Sequence, residues 1–205
     1  MTGLRSIAVF IVLSWAGLAQ AATILVWGDS LSAGYGLRAE QAWPSLLENT
    51  LRDQGREARV VNGSISGETT AGGRSRLPDA LARHHPDILV LALGANDGLR
   101  GLPARLMRGN LEAMIRAAQD AGSKVLLVGM RMPPNYGPAY AAKFQETFEK
   151  TASTLDVPLL PFLLEPVALD RSRFQSDGLH PTAEAQPALM RHVLAALRPL
   201  LDSAP

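Results

Sequence analysis

Ser30 follows Gly28-Asp29 near one end of the chain, and His180 closes an Asp177-Gly178-Leu179-His180 tetrapeptide near the other. A hydroxyl nucleophile, a ring base and a carboxylate that orients the base are the groups that nucleophilic acyl chemistry needs. Asp177 precedes His180 across a glycine-containing turn, so its carboxylate can curl back onto Nδ1 and leave Nε2 free for the Ser30 hydroxyl. Two further clusters, Ser66-Gly67-Glu68 and Gly94-Ala95-Asn96-Asp97, contain candidate oxyanion donors. These are the Asn96 side-chain amide and the backbone amides of Gly67 and Ser30. Each cluster alone has a plainer explanation. Asp29 or Ser30 could simply cap a helical turn, while Asp177-Gly178 and Asn96 could be ordinary turn residues. One site explains the set better than several unrelated coincidences.

These residues need elements to hold them. Residues 23–27 (TILVW), 59–61, 88–93, 124–129 and 157–162 are short apolar runs that read as strands buried on both faces. Between them, Pro44 opens and Gly55 closes one amphipathic stretch, and Pro103 opens and Gly122 closes another. A last helix is expected from near Pro187 through Leu189, Val193, Leu197 and Leu200. Alternating strands and helices predict an α/β fold, a mostly parallel sheet covered by helices on both faces in three layers. Ligands of such sheets bind beyond the carboxyl ends of the strands, where Ser30 and Asn96 fall. The cluster ending in His180 precedes the last helix and can fold back over the same edge. Leu99 and Leu102, with Met130, Met132, Pro133, Pro134 and Tyr136 from a Pro-rich loop at 130–138, are expected to wall an apolar groove. Ordinary loop packing would also account for them.

Composition narrows the chemistry further. The 205 residues carry a net charge of +1 with no block of like charge, which gives no footprint for nucleic acid. There is no cysteine, so a thiol nucleophile and disulfide staples are excluded. No HExxH and no Cys/His cluster occurs, so no metal and no cofactor is implied. Gly-x-Ser-x-Gly, Walker and GxGxxG motifs are absent as well. Residues 1–21 have Arg5, an apolar run and Ala19-Gln20-Ala21, the pattern of a cleaved secretory signal whose apolar run is too short for a stable membrane span. Residues 22–205 are expected to form one domain, and its oligomeric state is not legible.

The four clusters, with Ser30, Gly67, Asn96 and His180 as the matching residues, resemble the four blocks of the SGNH (GDSL) hydrolase family. GDSLSAGYG, ALGANDGLRG and DGLHP followed by AQP are similar to its periplasmic branch of acyl-CoA thioesterases, lysophospholipases and arylesterases. The resemblance implies a flavodoxin-like α/β/α sandwich on a parallel, five-stranded sheet. It implies Ser30 as nucleophile, His180 as base, Asp177 as its orienting group, and an oxyanion hole of Ser30, Gly67 and Asn96. It also implies a small acyl ester or thioester as substrate, and a periplasmic location. The chain departs from the pattern at Ala95, where many relatives carry glycine, and at Trp27, where a smaller aliphatic is common. A carbohydrate O-deacetylase on the same fold, and a non-catalytic periplasmic lipid-binding protein, remain as alternatives.

Overall fold

Side chains alternate along β1 (Ala22–Gly28). Ile24 and Val26 enter one apolar layer, and Leu25 and Trp27 enter the other. The same alternation in β3 (Ile88–Ala92) and β4 (Lys124–Val128) leaves these strands without a polar face. Such strands are stable only between two layers of helices. The computed structural model describes residues 21–202, so all but Ala21 of the expected secretory signal lies outside the described residues.

With β2 (Ala58–Asn62) and β5 (Leu159–Leu160), the strands form a parallel sheet in the order β2-β1-β3-β4-β5. Helices α2 (Trp43–Asp53) and α7 (Gln186–Asp202) cover one face, burying Trp43, Leu47, Leu51, Leu189, Val193 and Leu197. Helices α3 (Thr70–His84), α5 (Ala104–Asp120) and α6 (Pro138–Leu155) cover the other with Leu77, Leu111, Ile115, Phe144 and Phe148. Each fully buried Leu or Ile contributes roughly 1.5–3 kcal/mol of transfer free energy. The expected three-layer sandwich and five-stranded parallel sheet are therefore what the chain forms.

The fifth strand differs from the sequence reading. β5 spans only Leu159–Leu160 instead of residues 157–162, because Pro158 and Pro161 lack the amide donors a ladder needs. The final helix begins at Gln186, beside Pro187 as expected, and is preceded by a 3-10 turn at Ala183–Ala185. Trp27, large for its position, is accommodated by glycines. Its indole N–H donates to the Gly73 carbonyl at 3.1 Å, and a Cβ at Gly63 would lie 2.6 Å from its ring. Among the described residues no helix is long and apolar enough to cross a membrane.

β1 and β3 are neighbours whose following connections run in opposite directions across the sheet, β1 toward β2 and β3 toward β4. Their carboxyl ends therefore flank the crevice in which ligands of open α/β sheets bind.

Candidate active site

Gly28 ends β1, and a Cβ there would meet Ser32 Oγ at 2.8 Å and the Ala92 carbonyl at 3.1 Å, so the chain can turn sharply only with glycine. Asp29 then caps the short helix α1 (Ser30–Ala33), its Oδ1 accepting from the Leu31 amide at 3.0 Å. Gly34, at φ +77°, closes that helix in the left-handed region. Ser30 stands on the first residue of α1, between strand end and helix. Asp29 is only 2% exposed. Its burial pushes the carboxyl up to about 6, against the opposing pull of the Leu31 amide and of nearby His180.

His180 arrives from the far end of the sequence on an antiparallel pairing of Phe174 with Pro181. Gln175 N–H donates to the His180 carbonyl at 2.8 Å, and Gly178, at φ +67°, makes the turn between them. His180 Nε2 lies 2.8 Å from Ser30 Oγ, and Nδ1 lies 2.6 Å from Asp177 Oδ2. The other oxygen of Asp177 accepts from the Leu179 and His180 amides at 2.9 and 3.0 Å. The His180 amide, then its ring, then the Leu179 amide hold the Asp177 carboxyl down at about 2. Asp177 is thus ionised throughout the neutral range, which fixes the Nδ1–H tautomer and presents Nε2 as the acceptor for the serine proton.

Asn96 lies on α4 (Ala95–Leu99), where the sequence suggested only a turn beyond β3. Its neighbour Asp97 anchors this helix by accepting from the Thr70 amide at the start of α3, at 2.8 Å. Asn96 Nδ2 donates to the Glu68 carbonyl at 3.0 Å and to Asp29 Oδ2 at the longer distance of 3.3 Å. Gly67, at φ +78°, has its carbonyl held by Arg100 Nη2 at 2.9 Å. The backbone amides of Ser30 and Gly67 have no acceptor among the described residues. Three donors therefore border one space beside the serine.

That space is a cleft of about 680 Å³. Ser30, Gly67, Asn96 and His180 line it, as do Leu99, Met130, Met132 and Pro133. Leu102 and Tyr136, expected in the groove, are not among its lining residues, and the side chain of Pro134, also expected there, lies outside the described part of the structure. Gly101, at φ +64°, turns the chain before Leu102 and leaves that side chain 38% exposed. Tyr136, in the 3-10 turn Pro134–Tyr136, spends its hydroxyl on the Leu99 carbonyl at 3.1 Å. Sequence reading missed much of the wall: Tyr35, Arg131, Phe162, Leu164, Leu169, Phe174 and Leu179. Several of these follow β5, and the rule that placed Ser30 and Asn96 beyond strand ends applied there equally. Among the described residues no group of three or more His, Asp or Glu side chains is arranged to hold a metal.

A serine, histidine and aspartate joined at the carboxyl edge of a doubly wound parallel sheet, with no Gly-x-Ser-x-Gly turn, define a hydrolase of the SGNH class. Residues 26–187 match the GDSL-like Lipase/Acylhydrolase family, and the chain belongs to it. It is 45% identical over 197 residues to an arylesterase from Vibrio mimicus, covering 96% of this chain and 98% of that protein. It is 40% identical over 193 residues to thioesterase 1/protease 1/lysophospholipase L1 of Escherichia coli K12, covering 94% and 91% respectively. The crystal structure of TesA superposes with a TM-score of 0.85 at 46% identity, covering 87% of this chain and 99% of that one.

Proposed function

We propose that this protein is a serine esterase and thioesterase that hydrolyses acyl esters through an acyl-Ser30 intermediate. The observation that carries the reading is the continuous hydrogen-bonded chain from Ser30 Oγ through His180 to Asp177 at the head of an apolar cleft. Ser30 Oγ attacks the substrate carbonyl as its proton passes to His180 Nε2. The Ser30 and Gly67 amides and Asn96 Nδ2 donate to the oxygen that becomes negative, Asn96 exchanging its long bond to Asp29 for this one. His180 gives its proton to the leaving alcohol or thiol. Water then attacks the acyl-serine with His180 again as base, and releases the acid.

The relatives' names suggest aryl esters, acyl thioesters such as acyl-CoA, and lysophospholipids as substrates. Leu99, Met132, Pro133, Phe162 and Leu164 suit an acyl chain better than a sugar, which argues against the deacetylase reading. Residues 1–21 have the composition of a cleaved export signal, and with it the enzyme would work in the periplasm. The test is hydrolysis of p-nitrophenyl esters and acyl-CoA by wild type and Ser30→Ala. The serine variant should lose about 10⁴ to 10⁶ in kcat with its fold retained. Activity within about tenfold of wild type would remove Ser30 from the reaction.

A further inference from the structure

Tyr35 lines the cleft, and no step above uses it. Its ring lies against the His180 imidazole, with centroids 4.4 Å apart and planes tilted by 35°. The short segment that carries it is fastened at both ends. Tyr35 N–H donates to the Ser30 carbonyl at 3.1 Å, and the flanking Gly34 and Gly36, at φ +77° and +74°, let the backbone curl the ring back toward the nucleophile.

Gln175 reaches this segment from the hairpin that bears His180. Its Nε2 donates to the Tyr35 carbonyl at 2.8 Å and to the Pro181 carbonyl at 3.1 Å. Its own backbone amide donates to the His180 carbonyl at 2.8 Å. A Cβ at position 36 would collide with Gln175 Oε1, so glycine there gives the clamp its room. One glutamine thus ties the chain just after Ser30 to the chain on both sides of the His180 ring.

We infer that Tyr35 and Gln175 are positioning residues that hold the His180 imidazole over Ser30, the Tyr35 ring also favouring the imidazolium that forms when the serine proton is taken. The physical reason is that an aromatic face attracts an adjacent cation more than the neutral ring it came from. The inference rests on Ser30 being the nucleophile and His180 its base. The titratable groups facing the ring are Asp177, in contact with Nδ1, and buried Asp29. Replacing Tyr35 changes neither.

The experiment compares Tyr35→Leu, Tyr35→Phe and Gln175→Met with wild type, measuring kcat and KM for p-nitrophenyl butyrate across the acid and neutral range. Tyr35→Leu should lower kcat about fivefold with KM within about twofold, and should move the acid limb of the kcat profile down by about half a pH unit. Tyr35→Phe, which keeps the ring, should stay within about twofold of wild type. Gln175→Met leaves the ring intact and loosens its seat, so kcat should fall about threefold with KM unchanged. It carries the same test independently, should Tyr35→Leu prove less stable in thermal melting. A rise in KM with kcat retained, an unmoved acid limb, or a Phe variant as impaired as the Leu variant overturns the inference. Ser30→Ala is assayed alongside. If it stays active, the underlying reading fails; if it is dead while the Tyr35 and Gln175 variants behave as wild type, only the clamp fails.

Discussion

Asp29 directly precedes Ser30 in the chain, and Asp177 contacts the His180 ring. One is buried and pushed up to about 6, while the other sits on an exposed turn and is held at about 2. The side of the proposed nucleophile, with Asp29, Ser30 and Asn96, is built on the ends of β1 and β3 and is placed by core packing. The side of the proposed base, residues 174–181, makes little core and is placed by hydrogen bonds, with the ionised Asp177 accepting three of them. Packing sets the donors while charge sets the base. Breaking one side should therefore look unlike breaking the other.

The largest expected effect comes from the base side. His180→Ala should cost about 10⁴ to 10⁶ in kcat, and Asp177→Asn about 10⁴ because the imidazole tautomer is no longer enforced. Stopped assays at matched concentration check the rate. Thermal melting at neutral pH should show both variants folded, since neither side chain belongs to the core, with a loss of about 1 kcal/mol where the charged hydrogen bonds of Asp177 are weakened. A large loss of stability would mean that the hairpin is a structural element and not merely a holder of the base.

Asn96→Ala should lower kcat by about 10² to 10³ with little change in KM, because its donor matters most once negative charge has formed. A change confined to KM would make Asn96 a substrate-binding residue.

The two carboxylates should also be separable by pH. Asp177, depressed in the fold, contributes stability above its unfolded value of 3.8, and that contribution disappears as pH falls toward 2. Asp29 has the opposite sign. Its raised value means that the fold holds a proton the unfolded chain has lost, so stability declines as pH rises from about 4 and levels off above about 6, a cost of about 2 to 3 kcal/mol. Urea melts of wild type and Asp29→Asn at several pH values check this, and the decline should vanish in the variant. A decline that persists assigns it to another group.

The smallest effect concerns the cleft wall. Each acyl methylene buried against Leu99, Met132 and Phe162 should add up to about 0.8 kcal/mol, roughly fourfold in kcat/KM, until the wall is covered. A p-nitrophenyl ester series from acetate to dodecanoate measures the slope, and Leu99→Ala should flatten it. A maximum at acetate would favour the sugar deacetylase alternative.

How much of this was legible in the sequence divides along the same line. β1, β3 and β4 were legible because strands apolar on both faces have one stable setting, and Ser30 and Asn96 followed from where those strands end. Helix α3 was harder to see, since Gly72, Gly73 and Pro78 disfavour a helix locally, and the Thr69 cap with the burial of Leu77 and Leu81 supports it. The residue types of the base side were plain in Asp177 and His180, but the fastening was not. Gln175 and Tyr35 meet across 140 residues, and no local pattern signals that contact. Leu102 and Tyr136 looked like groove residues by hydrophobicity alone, which does not report which way a loop turns.

The most direct test of the account is covalent capture of the nucleophile. Wild type is incubated with a fluorophosphonate, and intact and peptide masses are then recorded. The account predicts one adduct per chain, located on Ser30, abolished in Ser30→Ala and slowed by orders of magnitude in His180→Ala. An adduct on any other residue, or an active enzyme that takes up no label, would contradict it.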